Sequence, residues 1–226
     1  MFTVNYLRRC YGKRMYMILI LFLLDIISSL YSAGNDHLFI RHMFIAYDFV
    51  STCANILFWF ILFLPIAIDI IQDRDSFGIA LYCRASKTKY LMKKSFSILV
   101  YCISFFAISM LISLLVAVTN NYPVGTANMI LKLYVILVLL SYAMMELMVL
   151  ISWISNSSYI MTIIYAVLIT ASQIPGFNDN SLLGTLFAKW HLSVLVLVLS
   201  TIVLMPITLY VIKKQDLLGI KKGTTI

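Results

Sequence analysis

Four carboxylates stand out by position. Asp25, Asp48, Asp69 and Glu146 lie within or at the ends of long apolar runs. An ionisable side chain at the centre of a bilayer costs about 2.5–3.5 kcal/mol on insertion scales, so each is a candidate functional residue. Asp25 is the deepest. Asp48, Asp69 and Glu146 fall close enough to the ends of their runs to be read as reaching water. Polar side chains also recur at helical spacing: Asp48, Thr52, Asn55 and Trp59 share one helix face, as do Ser158, Thr162, Tyr165 and Ser172. A pathway between two such faces would be lined by Asp25, Asp48, Thr52, Asn55, Thr162 and Tyr165. The same spacing also suits helix–helix contacts, where small and hydroxyl residues are common in membranes.

Other chemistry lacks its residues. No GxxxxGK[ST] phosphate loop occurs, and "GIKKGTT" fails its spacing. His37, His42 and His191 have no HExxH arrangement and no carboxylate at a fixed offset, so neither a metal site nor a catalytic set is expected. Cys10, Cys53, Cys83 and Cys102 form no CxxC pair and read as reduced thiols.

The elements that must position these residues follow from composition. The 226 residues are 62% hydrophobic and only 12% charged, with a mean hydropathy of +0.99. Soluble domains average roughly 45–50% apolar and about 25% charged, which points to an integral membrane protein. A spanning helix needs about 20 mostly apolar residues. Runs at 15–33, 46–71, 96–118, 129–151, 159–174 and 192–212 meet that need, although the fifth is short and ends at Pro175-Gly176. The expected fold is an all-α, six-span membrane domain over residues 1–226. After Pro175-Gly176, the stripe Leu182, Leu183, Leu186, Phe187 and Trp190 suggests a broken or re-entrant element between spans five and six.

Orientation follows from the cations. Arg8, Arg9, Lys13 and Arg14 precede the first span. Arg74, Arg84, Lys87, Lys89, Lys93 and Lys94 lie between the second and third, and Lys213, Lys214, Lys221 and Lys222 follow the last. Only Arg41, Lys132 and Lys189 fall on the other side. Both termini and the 72–95 loop are therefore expected in the cytoplasm, and the net charge of +8 reflects topology rather than nucleic-acid binding. The basic start, residues 1–14, reads as an amphipathic interfacial helix with Phe2, Tyr6 and Cys10 on its apolar side, leading into a retained first span.

The 72–95 loop carries more than a connector needs. Asp75 or Ser76 can cap a short helix, Phe77, Ala80 and Leu81 give it an apolar face, and the cations from Arg84 to Lys94 ride a second helical stretch into the third span. Lys93 and Lys94 are expected at the lipid headgroups. With Asp73 and Asp75, then Gly78, Leu81, Ser86-Lys87 and Lys93, and with Lys213-Lys214-Gln215-Asp216-Leu217 after the last span, the chain resembles the ABC type-2 permease superfamily. These are the six-span membrane subunits of ABC exporters. The Pro that usually precedes the Ser-Arg pair is absent, Arg84-Ala85 standing there instead, and Lys87 replaces the Arg.

The resemblance implies a bacterial cell-membrane subunit that pairs with a second membrane subunit, identical or not, and with cytoplasmic ABC ATPase subunits. Those partners would hold ATP and Mg, while this chain would bind no cofactor and catalyse nothing. Asp73, Asp75, Phe77, Gly78, Leu81, Arg84, Ser86 and Lys87 would form the ATPase-coupling surface. The small size resembles permeases of bacteriocin immunity and peptide-toxin export systems, which implies amphipathic or antimicrobial peptides as cargo. Export of lipids or hydrophobic drugs is the alternative, as is a non-transporting immunity or sensor protein that binds a peptide.

Overall fold

The computed structural model describes residues 87–155 and 188–214, together with Leu19, Leu23, Trp59, Leu62, Phe63, Ala67, Ile163, Val167 and Leu186. The fold is helical, with no strand among the described residues. Among the described residues, three helices are long and apolar enough to cross a membrane: α1, Lys87–Thr119; α2, Ala127–Ser155; and α3, Trp190–Lys214. They correspond to the expected spans at 96–118, 129–151 and 192–212, each longer than its apolar run. The described residues of the other three expected spans are all helical, and the remainder of those spans lies outside the described residues.

The lengthening of α1 is the informative difference. Its helix begins at Lys87, so the last cations of the 72–95 loop and the third expected span form one unbroken rod. Lys87 lies eight residues before Ser95, about 12 Å at 1.5 Å per residue.

A tight turn joins α1 to α2. Tyr122 N–H donates to the Ala117 carbonyl at 2.9 Å and Asn121 N–H to the Val118 carbonyl at 3.3 Å. Asn121 sits at φ 56°. This is the paired bonding of a Schellman cap with asparagine at the left-handed position, a residue that tolerates it better than most. Pro123 follows, as it commonly does where a helix cannot continue. Gly125, at φ 82°, then redirects the backbone. Thr126 starts α2, its hydroxyl accepting from Met129 N–H at 3.3 Å and its carbonyl from Ile130 N–H at 3.1 Å, the bonds of an N-cap.

The two helices lie antiparallel. Along α1 the buried positions Leu91, Ile98, Tyr101, Phe105 and Phe106 recur at helical spacing and meet Leu133, Leu137, Met145 and Met148 of α2 in one core cluster. Trp59, Leu62, Phe63 and Ala67 belong to the same cluster. Trp59 stacks on Phe63 and tilts against Phe106, with ring centroids 6.0 and 5.9 Å away, and Tyr101 Oη donates to the Leu62 carbonyl at 3.1 Å.

Helix α3 packs mainly on α2. Trp190, its first residue, holds its ring 5.0 Å from the Lys132 ammonium near the start of α2. The two helices therefore start at the same end and run side by side. Within their apolar windows 61% of α2 is buried but only 17% of α3, which makes α2 the central helix and α3 a peripheral one. Pro206 inside α3 removes one backbone donor, and Thr208 Oγ1 donates to the Leu204 carbonyl at 2.8 Å beside it.

Candidate functional site: a buried polar node between α1 and α2

Most serines of these helices bond to their own backbone. Ser97, Ser113, Ser141 and Ser152 donate to the carbonyls of Lys93, Ser109, Leu137 and Val149 at 2.6–2.8 Å, the usual way a hydroxyl is satisfied inside a helix. Ser95 behaves differently. Its Oγ donates across to Glu146 Oε1 at 2.5 Å, a buried bond between residues 51 apart. The same Oγ lies 2.5 Å from Tyr142 Oη. Tyr142 and Glu146 are one turn apart on α2, so both reach the same point on α1.

The node is closed to solvent on all but its Tyr142 side, which is half-buried. Glu146 is 1% exposed, Ser95 2% and Lys94 3%. The Lys94 ammonium acts electrostatically on Glu146 and lies 6.0 Å from the Tyr90 ring centroid. Glu146 Oε2 is buried with no hydrogen-bond partner among the described residues. A buried carboxylate is tolerated only where charge and hydrogen bonds compensate it, and here a serine, a tyrosine and a lysine converge on it. Two turns further along α1, Cys102 Sγ donates to Met145 Sδ at 3.5 Å, and the Cys102 thiol is buried.

Two expectations are corrected by this geometry. Glu146, read as reaching water near the end of its span, is enclosed, because α2 is the central helix and a position nine residues before its end still faces neighbours. Lys94, expected at the headgroups with Lys93, is buried beside it, while Lys93 is exposed. One turn of α1 thus splits two adjacent lysines between the protein interior and its surface. With Ser95 and Glu146 both enclosed, the pair faces neighbouring helices, and its chemistry is to hold α1 against α2.

The residues singled out from the sequence lie elsewhere. Asp25, Asp48, Asp69, Thr52, Asn55, Thr162 and Tyr165 lie outside the described residues, as do Asp73, Asp75, Phe77, Gly78, Leu81, Arg84 and Ser86. Lys87 appears as the first residue of α1. Of the polar stripe on the second span only Trp59 is described, and it is buried at 4% in the aromatic core, which is packing at that position. Of the stripe before the last span, Leu186 and Trp190 are described, both helical, with Lys189 a turn residue between them. Among the described residues no three His, Cys, Asp or Glu side chains converge as a metal site would require.

No family model, curated protein or solved structure matches the chain. The site therefore rests on its own geometry. Ser95 and Tyr142 had no individual signal in the sequence. A hairpin register brings them to the same region, since Ser95 lies 25 residues before Asn120 and Glu146 lies 20 after Thr126, which sets the two within about five residues, or about 8 Å, of level across the turn.

Proposed function

We propose that this chain is the membrane subunit of an ATP-driven exporter, a six-span permease whose 73–94 loop docks on a separate cytoplasmic ATPase. The observation that carries the reading is the continuous helix from Lys87 to Thr119, fastened to α2 by Ser95 and Glu146 close to its loop end. A displacement of the loop enters α1 at Lys87 and meets that fastening about 12 Å later. It is passed to α2 and, through the packing of α3 on α2, to the rest of the bundle. An ordinary connector between spans needs no such lever.

The six-span count is supported by chain direction. Helices α2 and α3 start at the same end, an arrangement that one further crossing between them would give. The apolar run at 159–174 is the segment that fits. ATP and Mg belong on the partner, which supplies the energy. Phe77 and Leu81 are the anchors of the docking knob, Asp73 and Asp75 meet a cationic rim on the partner, and Gly78 allows close approach of its backbone. The charge asymmetry supports a cell-membrane location with both termini and the loop in the cytoplasm. Amphipathic peptides, taken laterally from the membrane by a dimer of such subunits, are the proposed cargo.

The test uses the full chain purified from its native membrane together with its ATPase. Burying a Phe or Leu side chain is worth about 1.5–3 kcal/mol, so Phe77→Ala or Leu81→Asp should release the ATPase or uncouple hydrolysis from peptide export. Wild-type stoichiometry and export in Leu81→Asp would remove the main support for an exporter.

A further inference from the structure

A buried carboxylate has two oxygens to satisfy, and in Glu146 one of them stands bare. Its Oε1 accepts from Ser95 Oγ, while Oε2 is buried without a hydrogen-bond partner among the described residues. An ionised carboxylate only accepts, and it offers about four lone-pair sites. With a single hydroxyl bonded to it inside the bundle, this one is short of donors. A proton meets that shortage and needs no cavity.

Counting hydrogens fixes the direction of the bonds that lead to it. A serine hydroxyl carries one hydrogen, and that of Ser95 is committed to Glu146 Oε1. In the contact between Ser95 Oγ and Tyr142 Oη the tyrosine therefore donates. The three side chains form one line, from the half-buried Tyr142 through Ser95 to Glu146, both enclosed. Around it, α1 contributes Lys94, which acts electrostatically on Glu146, and the Cys102 thiol, which acts on Tyr142. None of the described residues of α3 acts on either.

We propose that Glu146 is a proton-binding site, and that Tyr142 and Ser95 relay the proton to it. A proton from water attaches to Tyr142 Oη as the tyrosine's own hydrogen moves to Ser95 Oγ and the serine's hydrogen to Glu146 Oε1. Each O–H bond broken is matched by one formed, so both hydroxyls are restored and the carboxylate becomes a neutral acid. The hydrogen bonds then run in reverse, Glu146 donating to Ser95 and Ser95 to Tyr142. Release retraces these steps. The Ser95–Glu146 bond that fastens α1 to α2 is charge-assisted in the ionised state and neutral in the protonated one, a difference of about two-fold in strength. Proton uptake therefore slackens the hairpin at the end nearest Lys87. The relay needs no ATPase and stands whether or not the chain exports.

Glu146 is the only glutamate in the 226-residue chain, so glutamate isotopically labelled at its side-chain carboxyl reports on this residue alone. The full-length protein, made with that label by cell-free synthesis and placed in lipid nanodiscs, is followed by isotope-edited infrared spectroscopy, which separates the acid band from the carboxylate bands. From about pH 4 to about pH 10, the acid band of wild type should give way reversibly to the carboxylate bands. After a pH jump, Tyr142→Phe should still reach both states, with the exchange slowed about 100-fold, the lower end of what a positioned proton-transfer group supplies. Ser95→Ala, which cuts the line at its middle, should slow it likewise. Tyr134→Phe, which removes another α2 hydroxyl, bonded to the Ile103 carbonyl at 3.0 Å, should leave the rate unchanged. The label reads Glu146 in the wild-type chain, so the acid itself is not substituted, and Tyr142→Phe keeps the packed ring if Ser95→Ala unfolds the bundle. A carboxyl that holds one protonation state throughout the range in which the helices persist overturns the site. Wild-type speed in Tyr142→Phe, or an equal slowing in Tyr134→Phe, overturns the relay.

Discussion

Ser95 and Glu146 settle between them how a carboxylate survives inside this bundle, and the two can be separated by mutation. Ser95→Ala leaves Glu146 with neither oxygen bonded to that serine and no replacement donor of the same reach. Removing one partner of a buried bond costs about 1–3 kcal/mol, so a lowered midpoint of thermal unfolding in detergent is expected. Ser95→Ala combined with Glu146→Leu should cost less than the sum of the single changes, with a coupling of about 0.5–3 kcal/mol. Strict additivity would mean that the bond contributes nothing. Lys94→Gln should also lower the midpoint, while Lys93→Gln, an exposed change, should stay within about 0.5 kcal/mol. The sequence made Glu146 visible as the only acid in its apolar run, but it placed the residue near water by its distance from the span end. Burial of that position depends on which helix occupies the centre of the bundle, and that is a property of the packing. Ser95 carried no signal because a single serine at the start of an apolar run has a ready partner in its own backbone.

The α1–α2 hairpin is held at its closed end by two caps of different chemistry. Thr126→Ala removes the hydroxyl that accepts from Met129 N–H and should cost about 0.5–2 kcal/mol of stability. Asn121 occupies a left-handed backbone position, so Asn121→Val should cost at least as much, because a β-branched residue is strongly disfavoured there. Asn121→Gly should be close to neutral. Chemical denaturation of the detergent-solubilised protein, followed by helicity, orders the three variants. These helices were legible as spans because hydropathy and length are local properties, and the three expected apolar runs fall inside α1, α2 and α3. Their ends were less legible. Helix α1 reaches nine residues beyond the run at 96–118, since Lys87–Ser95 are polar enough to leave a hydropathy window while remaining good helix formers. The knob at 73–81 lies outside the described residues, and the rod that follows it is the part of the loop that the structure adds.

At the scale of the whole molecule, direction is the testable property. In a background lacking Cys10, Cys53, Cys83 and Cys102, a cysteine placed at Asn120 should react with an impermeant maleimide added outside intact cells. A cysteine at Lys93 should react only after permeabilisation. Labelling of position 93 from outside would reverse the topology drawn from the cations. The antiparallel hairpin with its interior acid also has a consequence for biosynthesis. The segment that becomes α2 enters the membrane carrying Glu146, at a stage when an unmatched acid is costly in lipid. Ser95 and Lys94 are made first, 51 and 52 residues earlier in the chain. At about 5–20 residues per second, the matching groups stand in the bilayer for some ~3–10 s before the acid emerges. The short Asn120–Thr126 turn then delivers it alongside them. The order of the residues along the chain thereby becomes an order of events in time, with the receptor for the charge installed before the charge itself.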